Sequence, residues 1–466
     1  MSQENRRLGQ RIQDLVEENR RLSNRPRVAH LPADAPDDVG NETDSVPETE
    51  IYHPAPAVPL NPYPDWLGNW PPNFTAGYDH GFLIQPTNPH EHPFSFKFNN
   101  QTQLRYTGFA RDVVSWTDNA GITYPVSDRS NFEIPRGRAI FSGYAFLPDL
   151  TYNLNIDYNT VTSNPINFRA YWLAYRFNRG LTVFLGQNKV PGTREWLITS
   201  TQVLGPDRSM ATTFFRPSLS QGIWATGEPR DGLFYHFMIA NGFNTLGSNP
   251  TQLDSHMAGT LSVWAEPWGA FGTGYGDFES HASPALRLGT SITYSPEQGQ
   301  QGNPDAAENA AIRLTDGTLL TETGALAPGV TLNIYYVGLA AFDLAFKYRG
   351  FSMSGEFFLR DLFGLQGNGP LPRTSIFDYG AFAQTGYYVI PQTFELYART
   401  SQVTGPYGSG AEYAGGLNWF FLPDRQNLRY TLDCAWLDQC PADQNRTDYQ
   451  AGYTGLLVRS QIQFFF

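Results

Sequence analysis

From Thr454 to the last residue the even positions read Thr454, Leu456, Val458, Ser460, Ile462, Phe464 and Phe466, and the odd positions read Gly455, Leu457, Arg459, Gln461, Gln463 and Phe465. One set is mostly apolar and the other mostly polar, with period two. Side chains of a strand alternate between its faces, so this is a strand with one face in an apolar medium and one in water. A Phe-Phe-Phe terminus is a poor partner for water. It suits a bilayer interface, where aromatic rings sit at headgroup level.

The alternation reaches back to residue 94. Phe94, Phe96, Phe98, Leu104 and Tyr106 share one parity; Ser95, Lys97, Asn99, Gln101, Gln103, Arg105 and Thr107 share the other, which holds every charge. Sixteen such stretches are predicted, at 94–108, 136–147, 150–158, 166–177, 181–189, 221–228, 232–241, 256–265, 285–295, 331–347, 351–359, 376–389, 392–401, 411–421, 427–436 and 450–466. Their connections alternate. Short ones fall at Pro148-Asp149, Asn178-Arg179-Gly180, Pro229-Arg230-Asp231, Arg349-Gly350, Pro391 and Pro423-Asp424; long ones include 109–135, 190–220, 296–330, 360–375 and 437–449. One connection breaks the rule: 266–284 is long where a short turn is due. An even strand number with the long loops on one side describes an all-β, 16-stranded antiparallel transmembrane β-barrel. A propeller or sandwich would not segregate its loops this way.

Ahead of the barrel the pattern changes. Met1, Leu8, Leu15 and Leu22 recur every seven residues, with Asn5, Ile12 and Asn19 at the second seam position. Residues 1–24 are therefore expected as a short α-helical coiled coil, its seam asparagines fixing register. The alternative is a lone amphipathic helix. Residues 25–73 read as an acidic, Pro-rich linker that cannot build a core. Residues 74–466 are assigned to the barrel. Both ends of the barrel fall on the short-turn side, so coil and linker are expected in the periplasm. No apolar core follows Arg6-Arg7, so no secretory signal is read there and the numbering is taken as that of a mature chain.

Composition narrows the picture. Only 16% of the chain is charged while aromatics reach 15%, and no apolar run is long enough for a transmembrane helix. A net charge of −12 argues against nucleic acid as a partner. Lys97, Lys189 and Lys347 are the only lysines. Cys434 and Cys440, six apart, are expected to join in the last long loop if the compartment is oxidising, the alternative being two unpaired loop thiols.

Several short motifs resemble the phosphate/pyrophosphate-selective porin (O and P) family. They are Gly186-Gln187-Asn188-Lys189-Val190-Pro191 after the fifth strand, Asn241-Gly242 closing the seventh, Gly355-Glu356 after Phe351-Ser352, and Gly81-Phe82 leading into the first. The terminal strand is similar to the closing strand of bacterial outer-membrane barrels, whose last Phe is read by the barrel assembly machinery. The resemblance covers about 74–466 and implies a homotrimer in outer-membrane lipid, with the third long loop folded inward to narrow the pore. Family members guide anions with a lysine cluster, and this chain departs from that pattern.

The third loop supplies the candidate constriction: Lys189, Arg194, Arg208 and Arg216, against Glu195 and Asp207. Cations at a narrowing between low-dielectric walls lower the barrier for anions; the bland alternative is that they pair with acids and pin the loop. The inward parity gives a lumen wall of Lys97, Arg105, Arg136, Arg138, Arg287, Lys347, Arg399, Arg429 and Arg459, with Asp157, Asp343, Glu356, Glu395 and Asp433. A lipid-facing Arg at the midplane would cost about 2–4 kcal/mol, which is why these are placed inside. His80, His90, Glu91 and His92 are a weak metal motif, and no metal or other cofactor is assigned.

The reading is a diffusion channel for small hydrophilic solutes, mildly anion-selective, with phosphate left open. The alternative is a structural tether linking outer membrane to cell wall through the coil. A barrel enzyme would need a Ser–His pair, and only His236, His256 and His281 lie in or beside the strands; the chain is read as no enzyme.

Overall fold

In the computed structural model the described residues are 73–88, 91–163, 165–246, 248, 253–298, 312–422 and 425–466. The coil at 1–24, the linker up to residue 72, His90 and the turn at Pro423-Asp424 lie outside them.

Two small hairpins accompany the barrel. The first is β1 (Phe74–Tyr78) and β2 (Phe82–Pro86), and the second is β4 (Ser115–Thr117) and β5 (Thr123–Pro125). The barrel strands are β3 (Phe96–Arg111), β6 (Arg129–Ala145), β7 (Leu147–Tyr158), β8 (Ile166–Asn178), β9 (Leu181–Lys189), β10 (Leu219–Arg230), β11 (Leu233–Ala240), β12 (Ala258–Ala265), β13 (Ala285–Gln298), β14 (Leu332–Tyr348), β15 (Phe351–Gly367), β16 (Ser375–Ile390), β17 (Phe394–Gly405), β18 (Gly408–Phe420), β19 (Leu428–Asp438) and β20 (Gly455–Phe465). Each pairs antiparallel with the next, and β20 pairs both with β19 and with β3, from Gly455↔Arg111 to Phe465↔Gln101. The sheet closes on itself with sixteen strands, so no backbone edge is left for lipid to leave unsatisfied.

All sixteen expected stretches are strands, and the differences lie at their ends. Strand β6 starts seven residues before the expected 136, and β15 runs on to Gly367. A bulge opposite Gln103/Arg105, beside Pro135, flips the parity of β6, and bulges at Leu332/Ile334 and Ile334/Tyr336 do the same for the β14–β15 pair. A bulge inserts one residue and so erases the period-two signal. The turn expected at Pro148-Asp149 is made earlier, at Phe146, in the left-handed region (φ 68°). On the long-loop side β17 and β18 are joined by Pro406-Tyr407 alone.

The two faces separate as the pattern requires. On β20, Arg459, Gln461 and Gln463 are buried inside while Leu456 and Ile462 are exposed outside. Outward aromatics stand near the short turns (Phe177, Phe351, Tyr387, Trp419) and again near the long loops (Phe132, Phe168, Phe377, Tyr413), all of them exposed. Two aromatic rows around an aliphatic band are the dressing of a bilayer-spanning barrel.

The inward face is covered as well. Phe358, Leu362, Ile376, Phe382 and Val403 of the wall form one buried cluster with Leu204, Met210, Phe215, Tyr275, Leu314 and Tyr449, which belong to connections between strands. A second cluster joins Trp172, Phe184, Val190, Trp224 and Met238.

The expected disulfide is absent: both cysteines are free, Cys434 exposed and Cys440 buried. Strand β19 continues through Asp438, so Cys434 is a strand residue facing outward between Asp433 and Ala435, which are buried inside. Cys440 lies beyond the strand end, in the inner cluster, its thiol 3.4 Å from the Ala442 carbonyl. Cys434 already falls inside the stretch expected at 427–436; pairing it with Cys440 overlooked that Cys434 faces outward while Cys440 turns into the inner cluster.

Candidate pore constriction

Strand β9 ends at Lys189, and the chain does not enter β10 until Leu219. Between them lie two short helices, Arg194–Leu197 and Met210–Phe215. The first amides of a helix have no internal partner. Wall side chains satisfy them here. Glu356 on β15 accepts from Arg194 N at 2.7 Å and Glu195 N at 3.1 Å. Glu412 on β18 accepts from Met210 N at 2.9 Å, and Ser401 on β17 accepts from Ala211 N at 2.8 Å. Ser209 caps the second helix through Thr212 N and donates its hydroxyl to Glu195 at 2.7 Å.

The stretch between the helices is tied to the opposite arc. Gln101 Nε2 donates to Ser200 Oγ at 2.9 Å, Gln463 Nε2 to the Thr201 carbonyl at 3.2 Å, Arg429 to the Val203 carbonyl at 2.9 Å and Asn418 to the Leu204 carbonyl at 2.8 Å. Asp207 is the main fixing point. Arg105 lies 3.3 Å from it, Arg136 Nη2 donates to its Oδ1 at 3.0 Å, and Arg399 donates to its carbonyl at 2.9 Å. Burial would push this carboxyl up, but Arg136 and Arg105 outweigh that and hold it well below the usual range. Glu195, fully buried, is raised by desolvation.

Three of the four expected constriction cations meet around one buried indole. Arg216 lies 3.9 Å, Arg208 4.9 Å and Lys189 5.0 Å from the Trp196 ring centroid, and Arg169 joins them at 5.6 Å. The negative face of an indole attracts cations, most strongly where water is excluded. Arg208 donates to the Glu195 carbonyl at 2.9 Å and to the Ile198 carbonyl at 2.6 Å, and Lys189 to the Leu197 carbonyl at 3.2 Å. Burial and the charges of Arg208 and Arg169 lower the pKa of Arg216. The fourth, Arg194, lies apart: it stacks on Tyr275 at 4.8 Å and Phe271 at 5.2 Å, with Asp343 3.7 Å away. Arg169 was missed because a bulge at Asn155/Ile156 displaces its parity. Trp196 was missed because a lone Trp in a loop carries no sequence signal for what gathers round it.

The wall cations all face inward and almost all meet an acid. Lys97 lies 3.7 Å from Asp79, Arg105 2.6 Å from Asp448, Arg138 3.5 Å from Asp157, Arg287 3.2 Å from Asp343, Arg399 2.6 Å from Glu412 and Arg459 2.5 Å from Asp433. Arg136 is held by Asp207. The sequence count omitted Glu412, Arg360 and Asp378, which also face inward, and loop acids such as Asp448, so most of the apparent excess of positive charge on the wall is neutralised.

Of the histidines considered for catalysis, His236 is buried with neither ring nitrogen hydrogen bonded, His256 lies 3.5 Å from Asp254, and His281 lies 2.5 Å from Asp277. Of the weak metal motif, His92 meets the Phe74 ring at 5.4 Å in a tilted arrangement. Asp277, Glu279 and His281 bring one donor atom each within 4.8 Å of one another. Asp277 is taken up by Gly350 N at 2.7 Å and by His281, and Lys347 stands 4.0 Å from Glu279, so a cation already serves this group.

The fold compares with solved bacterial outer-membrane proteins. Salmonella typhi OmpF, in complex with daunomycin, matches with a TM-score of 0.52 at 10% identity over 84% of this chain and 100% of that one. The anion-selective porin from Comamonas acidovorans matches at 0.49 with 11% identity over 80% of this chain and 100% of that one. The outer membrane channel DcaP of Acinetobacter baumannii matches at 0.49 with 8% identity over 80% of this chain and 97% of that one. No protein-family model and no curated protein matches the sequence. At these identities the likeness is one of fold: a sixteen-stranded barrel of the bacterial outer-membrane type.

Proposed function

We propose that the chain is an outer-membrane channel for small hydrophilic solutes with a mild preference for anions. The closed barrel supports a membrane-spanning wall, and residues 190–218 are read as the third loop folded inward to form the constriction. The observation that carries the anion preference is the gathering of Lys189, Arg208, Arg216 and Arg169 around Trp196. Such a group lowers the cost of bringing an anion close, because low-dielectric walls focus its field. Phosphate remains one candidate among small anions.

On the same reading the protein is a homotrimer in outer-membrane lipid, inserted by the barrel assembly machinery, and the N-terminal segment extends into the periplasm. Zero-current potential across a salt gradient in a planar bilayer tests the central claim. A potential of the anion-selective sign supports it; a cation-selective sign overturns the preference.

A further inference from the structure

Among the described residues, 266–284 is the one long connection between consecutive barrel strands on the short-turn side, and it lies against inward-facing wall side chains. Phe271 packs on Ala285 of β13 and Ala345 of β14. Tyr275 belongs to the main inner cluster and meets Phe382 of β16 at 6.4 Å. Phe278 meets Tyr388 of β16 at 5.9 Å and Phe420 of β18 at 5.2 Å. All three rings are buried. Gly272 and Gly274 take left-handed φ values of 75° and 71°, which let the segment turn sharply between its aromatics.

Polar contacts hold it to neighbouring strands and turns. Phe271 N donates to Glu266 at 2.9 Å, Lys347 Nζ to the Thr273 carbonyl at 2.9 Å and Gly350 N to Asp277 at 2.7 Å. At its tip Tyr275 N donates to the Gln202 carbonyl at 3.2 Å. Gln202 belongs to the connection 190–218, which enters from the long-loop side. Two segments from opposite ends of the barrel therefore meet within it.

We infer that 266–284 is a second obstruction, inserted from the short-turn side, and that conduction requires it to move. This rests on the channel reading above. Three buried rings across a hydrophilic path exclude the water that a passing ion needs. The segment from the long-loop side alone would narrow the lumen; joined to this one it closes it.

The test is made on the full chain in planar bilayers, with heat-modifiable migration as the check on folding. Deleting 269–282 is expected to raise single-channel conductance several-fold. Asp277→Ala, which removes the anchor to Gly350 and spares the rings, is expected to give longer or more frequent openings. With Cys434 and Cys440 replaced by Ser, the pair Gln202→Cys and Tyr275→Cys is expected to cross-link and to suppress openings until reduced. Wild-type-like conductance in the folded deletion and the Asp277→Ala variant would overturn the obstruction and leave the channel reading standing. A folded deletion that passes no current, like wild type, would overturn the channel reading, and the obstruction with it.

Discussion

The backbone N–H of Tyr275 meets the carbonyl of Gln202 at 3.2 Å, and the two residues enter the barrel from opposite ends. Around that contact Arg194 of one segment stacks on Tyr275 and Phe271 of the other. The cation expected to line the constriction instead joins the two segments to each other.

His281 should make this closure depend on pH. Its hydrogen bond to Asp277 raises its pKa above the ordinary 6.5, against the opposing effects of burial and of Lys347, with Glu279 adding to the rise. Burial pushes Asp277 up, but the His281 side chain and the Gly350 and His281 amides outweigh it and hold it low, so it stays ionised. Tyr388 and Glu395 face the segment from β16 and β17 beside Gly276. A histidine with a raised pKa stabilises the folded contact fully below its ordinary pKa and loses that contribution as pH rises through the raised value. Open probability should therefore increase as pH rises from the ordinary 6.5 through the raised value, and His281→Gln should flatten the profile. An unchanged profile in that variant would show that the pair does not hold the segment.

Asp207 is expected to be the residue on which the constriction segment depends most. It is buried between Arg105 and Arg136, and removing one partner of a buried pair leaves a charge uncompensated, at a typical cost of about 3–5 kcal/mol. Asp207→Ala should lower the temperature at which the folded barrel migrates as unfolded on gels. It should also make the current noisy. A quiet channel of wild-type heat resistance would show that Arg399 and the other carbonyl contacts suffice.

The wall was legible because period-two alternation is a direct image of lipid outside and polar groups inside, as on β20, where Arg459 alternates with Leu456, Val458 and Ser460. What escaped was whatever breaks or ignores that period. Bulges hid Arg169 and the first turns of β6. Pairings across long sequence separations, such as Arg105 with Asp448 or Glu356 with the 194–197 helix, leave no local trace. The aberrant length of 266–284 was visible, but Phe271, Tyr275 and Phe278 alternate with nothing, so their burial was not.

Cys434 and Cys440 should behave as two different thiols. Cys434 faces outward among Trp436 and Leu456, where lipid is expected, and Cys440 is buried, with burial raising its pKa well above the ordinary thiol range. Thiolate is the reactive form. A lipid-soluble maleimide should label Cys434 in the native protein and leave Cys440 untouched. Denaturation without reductant should then expose Cys440 to iodoacetamide. A linked peptide in a non-reducing digest would contradict the free-thiol arrangement.

Selectivity should follow the Trp196 group rather than the wall. Charges beyond roughly 8 Å from an ion are screened in physiological salt, so groups at the narrowest place dominate. Wall cations such as Arg459 and Arg138 already face Asp433 and Asp157. Replacing Lys189, Arg208 and Arg216 together by Gln should shift the zero-current potential markedly toward the cation-selective sign. Arg194→Gln should shift it less, because Asp343 stands 3.7 Å from that guanidinium. Replacing Arg459 should act first on stability, since Asp433 is left buried without its partner. Trp196→Leu separates stacking from charge: it keeps the four cations and removes the surface that gathers them. A reduced anion preference with intact folding would assign the indole a positioning role. If the triple change leaves the potential where it was, the cations only pin the segment, and the preference must come from another part of the barrel.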